Sequence, residues 1–173
     1  MSALQKRHED AAAVLLGAII RNPQLVDQND AVAMIRADHM PNEKTRSGWL
    51  AINRLLDQGV GQGELSPTAI LRASEADGVL TLDDIYLWLY SELDGREYAT
   101  IVETARDVLE CARKKQRMNQ LTLAIRDLAD NVPLPQVDER VLETLSDNDA
   151  GDDSMPSSLV ETMEAILANE PRQ

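Results

Sequence analysis

Apolar and polar positions along this chain repeat with the period of an α-helix almost throughout. The longest such run reaches from Tyr98 to Ala129, free of Gly and Pro and rich in Ala, Leu, Arg, Lys and Gln, and it predicts one long helix. At 1.5 Å per residue that helix would reach about 48 Å, longer than a compact small domain needs. Tyr98, Ile101, Val102, Ala105, Val108, Leu109 and Ala112 form one apolar stripe. At ~100° per residue, Leu121, Ile125 and Leu128 fall roughly half a turn away, while Leu123 stays on the first side. Between the halves runs the polar collar Arg113-Lys114-Lys115-Gln116-Arg117, continuing to Asn119-Gln120. A helix whose apolar face changes halfway is expected to have two neighbours. The first half would pack on a helical head, residues 1–97, and the second would open a helical hairpin, residues 98–145.

The same reading predicts the remaining elements. A first helix is expected from about Lys6 to Arg21, with Ala11, Val14, Leu15, Ala18 and Ile19 on one face and Asn22-Pro23 as its stop. Pro23 can open a short helix holding Leu25 and Val26, and Asp30 can cap another running through Ile35. Asn42 is placed to cap a longer helix that buries Trp49, Ile52, Leu55 and Leu56 and ends at Gly59. Ser66-Pro67 gives a cap and a first-turn proline for a helix carrying Ile70 and Leu71 to a stop at Gly78. Thr81-Leu82-Asp83-Asp84 resembles a capping box with Asp in place of Glu. The helix that follows is apolar nearly all round, through Ile85, Tyr86, Leu87, Trp88, Leu89 and Tyr90, which predicts the central helix of the head. After a turn at Val132-Pro133-Leu134-Pro135, the residues Val137, Val141, Leu142 and Leu145 make one stripe of a returning helix. Together with Leu121, Ile125 and Leu128 they are the expected hairpin interface. Residues 146–155 read as a flexible acidic linker. Residues 156–169 read as a separate amphipathic docking helix with Leu159, Val160, Met163, Ile166 and Leu167 on one face. A helix that short is marginal alone and needs a partner surface.

Composition narrows the fold class. A chain of 173 residues suits one domain, or a domain with an appendage. Aromatic residues make up only 3% and Phe is absent, so the core must come from Leu, Ile, Val, Ala and Met, which favours helix-on-helix packing. The expected class is all-α: a multi-helix head, a long-helix hairpin, an acidic tether and a C-terminal amphipathic helix.

Charge and candidate chemistry change the picture less. A net charge of −13 argues against bulk binding of nucleic acid, whose phosphates it would repel. The single cysteine, Cys111, forbids an internal disulfide and fits a reducing, cytoplasmic setting, and no apolar run is long enough for a membrane span. The glycines at 59, 61 and 63 lack the Gly-Lys-Ser/Thr of a phosphate loop. His8 and His39 lie in unrelated segments and suggest no metal ligation. Asp83-Asp84 is explained by capping, and Asp152-Asp153 by the acidic tether. The collar Arg113, Lys114, Lys115 and Arg117 is dispersed round its helix and reads as solvated. No constellation predicts catalysis, a metal or a cofactor.

Several strings, taken in order, resemble a known family. The segment from His8 through Val14-Leu15-Leu16-Gly17 to Ile20, followed by Asn22-Pro23, is similar to the opening helix of the N-terminal domain of the DnaB-type replicative DNA helicase. Trp49 to Gln58 and then Gly63-Glu64-Leu65-Ser66-Pro67-Thr68-Ala69-Ile70-Leu71 resemble its second stretch. Gly78-Val79-Leu80, Tyr86-Leu87 and Tyr98-Ala99-Thr100-Ile101-Val102 resemble its glycine turn, its "Y-L" helix and the start of its hairpin helix. Pro156 to Asn169 resembles the linker helix before the motor. The family's Asn/Ser-Pro segment is replaced by Ser91-Glu92-Leu93-Asp94-Gly95, and no RecA-like motor sequence is present.

The resemblance implies a non-catalytic helicase collar. Its hairpin would pair with hairpins of other copies to form a homo-oligomeric ring that receives primase, and its linker helix would pack on the motor domain of a helicase subunit. An alternative is a stand-alone phage- or plasmid-encoded accessory protein that binds a host replicative helicase to load, recruit or inhibit it.

Overall fold

In the computed structural model, which describes residues 1–61, 63–94 and 100–146, every regular element is helical. The helices are α1 (Ala3–Arg21), α2 (Leu25–Gln28), α3 (Asp30–Ala33), α4 (Glu43–Asp57), α5 (Pro67–Ala73), α6 (Leu82–Asp94), α7 (Ile101–Ala129) and α8 (Leu134–Ser146), with a 3-10 turn at Ala37–His39. The chain forms two compact units, Met1–Gln116 and Arg117–Gln173. The docking helix expected over 156–169, with Leu159, Val160, Met163, Ile166 and Leu167, lies outside the described residues, as do the acidic linker from 147 onward and Tyr98.

Local chemistry sets the helix starts. The Ser2 hydroxyl accepts from the Gln5 amide at 3.1 Å, so α1 begins three residues before Lys6. Asn42 caps α4 as expected, its side-chain oxygen accepting from the Thr45 amide at 2.9 Å, and Ser66 caps α5 with Pro67 in the first turn. The Thr81–Asp84 box is reciprocal: the Asp84 amide donates to the Thr81 hydroxyl, and the Asp84 carboxylate accepts from the Thr81 amide at 3.0 Å. Three expectations shift. Asn29, not Asp30, precedes α3; α5 ends at Ala73, well before Gly78; and α8 starts at Leu134, inside the expected turn.

The core of the first unit is built on α1. Ala11, Ala12, Leu15, Leu16, Ile19 and Ile20 are buried, and Ile52 and Trp49 of α4, Ile70 of α5, Ile85 and Trp88 of α6 and Ala105, Val108 and Leu109 of α7 join the same cluster. The central helix is therefore α1 rather than α6, which corrects the sequence expectation. On α6, Ile85 and Trp88 are buried, while Tyr86, Leu87 and Tyr90 are exposed. Apolar residues all round a helix count towards burial only where neighbours exist on every side, and α6 has them on one.

Two contacts tighten this packing. At Gly48 the indole of Trp88 lies so near that an added Cβ would sit 2.6 Å from its Cζ3. Only a residue without a Cβ lets α6 bring its tryptophan onto α4 at this point. From α1, the Arg7 guanidinium pairs with Asp107 of α7, with Nε donating to Oδ2 at 3.0 Å across 100 positions of sequence.

In the second unit, α7 closes on Asn131, which takes a left-handed φ of 60°, while the Val132 amide donates to the Asp127 carbonyl at 3.0 Å. Asn tolerates that conformation better than most residues with a Cβ. The chain re-enters helix at Leu134, and Arg140 of α8 pairs with the Asp127 carboxylate.

Candidate interaction surfaces

The polar groups most suggestive of chemistry turn out to be structural. His8 is buried in α1 and donates from Nε2 to the His39 carbonyl at 2.8 Å, which fixes the Nε2–H tautomer. Its Nδ1 has no hydrogen-bond partner among the described residues. Burial holds this imidazole below its usual pKa, with Lys115 adding in the same direction. His39, whose Nδ1 accepts from the Arg36 amide at 3.0 Å, is likewise lowered by burial. The two histidines that look unrelated in sequence thus meet, but as backbone-anchored neutral rings. Among the described residues no three His, Cys, Asp or Glu side chains gather into a set able to hold a metal.

Cys111 is buried, and burial followed by the nearby Asp107 carboxylate pushes its thiol up, opposite to what a nucleophile requires. Asp84, the capping carboxylate, also accepts from the Lys44 ammonium at 2.8 Å. The collar is spread out: Lys114 pairs with Glu110 one turn away at 2.5 Å, and Lys115 is half-buried. No described helix is long and apolar enough to cross a membrane.

What remains are apolar side chains in water. On the second half of α7, Met118, Leu121, Leu123, Ile125 and Leu128 are exposed, Ile125 at 67%, while the buried position in this stretch is Ala124. On α8, Val137 is buried, Val141 half-buried, and Leu134 and Leu142 exposed, the last at 64%. The side chain of Leu145 lies outside those described. The seven residues expected at a hairpin interface are therefore split: Val137 turns inward, whereas Leu121, Ile125, Leu128 and Leu142 remain open. A second exposed set, Leu82, Tyr86, Leu87 and Tyr90, lies on α6. Its signal was present in the sequence as surplus hydrophobicity, but the sequence assigned that surplus to the core. Comparison with protein-family models, curated proteins and solved structures finds no match.

Proposed function

We propose that this chain is a non-catalytic assembly and docking module of DNA replication, built like the collar of a DnaB-type helicase. In this reading residues 1–97 form the head and residues 98–145 carry the hairpin that pairs with hairpins of other copies. An acidic tether and a terminal helix would then reach a helicase or primase. The observation that carries the reading is the open apolar stripe Met118, Leu121, Ile125 and Leu128 on α7, together with the exposed Leu134 and Leu142 on α8. In an antiparallel hairpin, with Ala124 and Asp127 of α7 turned toward Val137 and Arg140 of α8, ~100° per residue directs both apolar stripes to the same side. Contiguous exposed apolar surface of this kind marks protein-binding sites.

A second copy fits the α7 part of that side, because the stripe Met118, Leu121, Ile125 and Leu128 includes no charged residue, whereas on α8 the exposed Asp138 stands between Leu134 and Leu142. Two copies can meet through the α7 stripe without burying like charges, despite the net charge of −13. Sedimentation of the full chain tests the assembly. Wild type is expected to self-associate, and Leu121→Asp with Ile125→Asp to abolish association while helicity is kept, both positions being exposed. A wild-type chain that stays monomeric at the highest attainable concentration would sink the collar reading. Failure to recover either intact helicase or primase in a pull-down would sink the replication role.

A further inference from the structure

The apolar face of α6 lies in the first unit and has its own charge setting. Leu82, Tyr86 and Tyr90 follow one another at i, i+4 and i+8, so they form a ridge along the helix, with Leu87 beside it. They are 38%, 48%, 67% and, for Leu87, 60% exposed, on a helix whose opposite side holds Ile85 and Trp88 in the core. The helix is thus fixed in position, and the ridge costs solvation without serving the fold. Between Pro67 and Asp94, the stretch carrying α5 and α6, six acidic residues stand against one basic residue, Arg72. The rest of the first unit is balanced, twelve acidic against twelve basic, so its whole charge excess lies in this stretch. Asp83, exposed, falls between Tyr90 and Leu87 in angular position on the same side.

We infer that this ridge is a docking site for a basic amphipathic helix of another protein, one whose apolar residues are flanked by arginine or lysine. A ridge at i, i+4 spacing accepts a partner helix along its side. The two tyrosine rings offer faces to guanidinium groups, and tyrosine paired with arginine is a recurrent anchor of protein interfaces. A second copy of this chain does not suit the site, because two such faces would bring the two exposed Asp83 carboxylates together. The inference stands apart from the hairpin reading, since it involves only α6 and its neighbours.

The test uses the full chain, isotope-labelled, and a fluorescent synthetic helix with leucines on one face and arginines on the other. Amide shifts are expected to concentrate on residues 82–91. Tyr86→Ser with Tyr90→Ser should weaken binding about tenfold or more while thermal unfolding is unchanged. Asp83→Lys, which leaves the ridge intact, should weaken it about two- to fivefold. A peptide with glutamate in place of arginine should not bind. The inference is overturned if the shifts centre on residues 117–173, if both α6 variants bind like wild type, or if the glutamate peptide binds equally well. It is also overturned if the α6 substitutions reduce self-association, which would make a second copy the occupant.

Discussion

Replacing Gly48 by Ala tests the packing that holds α6 in place. Ala is the better helix former by up to about 1 kcal/mol, so on an open helix face the change would stabilise. Here the new Cβ would lie 2.6 Å from Cζ3 of Trp88 and nearer still to Cη2. Comfortable carbon–carbon contacts need about 3.5–4.0 Å, so the ring must give way by roughly 1 Å. Trp88 is only 5% exposed and sits among core neighbours, so little free space surrounds it. Overpacking of this kind costs about 1–3 kcal/mol, which set against the propensity gain leaves a net loss of up to about 2 kcal/mol. For a chain of this size that corresponds to a fall of up to roughly 8 °C in the midpoint of thermal unfolding followed by circular dichroism. Gly61→Ala is the control, because an added Cβ there meets nothing within 4 Å. In a Trp88→Leu background the Gly48→Ala penalty should shrink or reverse, giving a coupling of about 1 kcal/mol or more in a double-mutant cycle. A Gly48→Ala protein as stable as wild type, with no coupling to position 88, would refute the close approach of α4 and α6.

Three further outcomes follow from the same contacts. Arg7→Leu should lower stability by about 1–3 kcal/mol in urea unfolding, because it leaves the buried Asp107 carboxylate without this charged partner. Burial depresses both imidazoles, so below pH 6.5 the unfolded chain binds more protons than the folded one. Stability should be fully present above that pH and decline as pH falls toward and through the folded pKa values, and His8→Gln should flatten the decline measured by denaturant midpoints. Cys111 should resist a thiol reagent in the native protein and react at once in denaturant; rapid native labelling would contradict its burial.

What the sequence made legible was local. The Asn42, Ser66 and Thr81 caps are written within four residues, and each forms as the spacing predicts. The stripe Ala105, Val108 and Leu109 is buried for the same reason, since helical period alone puts those residues together. Long-range contacts were not legible. No local pattern joins Arg7 to Asp107, or His8 to the carbonyl of His39. Helix α6 is the most instructive case. Tyr86, Leu87 and Tyr90 are as apolar as the core residues beside them, and hydrophobicity alone cannot say whether a neighbour exists. Leu121, Ile125 and Leu128 carry the same ambiguity on α7: a stripe in the sequence specifies a face, and the identity of what covers it is set elsewhere.

Charge separates the two open faces and predicts how they respond to salt. The α7 stripe has no charged residue, so association of copies through the hairpin should be driven by apolar burial and be little affected by ionic strength. The α6 ridge lies in a stretch with six acidic residues against one basic, so docking of a basic helix there should depend on long-range attraction. Raising salt from about 0.1 M to 1 M shortens the screening length from about 10 Å to 3 Å. The peptide affinity should fall several-fold over that range while the dimerisation constant holds or rises, both followed on one preparation by anisotropy and sedimentation. If the two respond alike, the faces do not differ in what drives them. The assignment of like copies to α7 and a basic partner to α6 would then lose its physical basis, even with both surfaces as exposed as described.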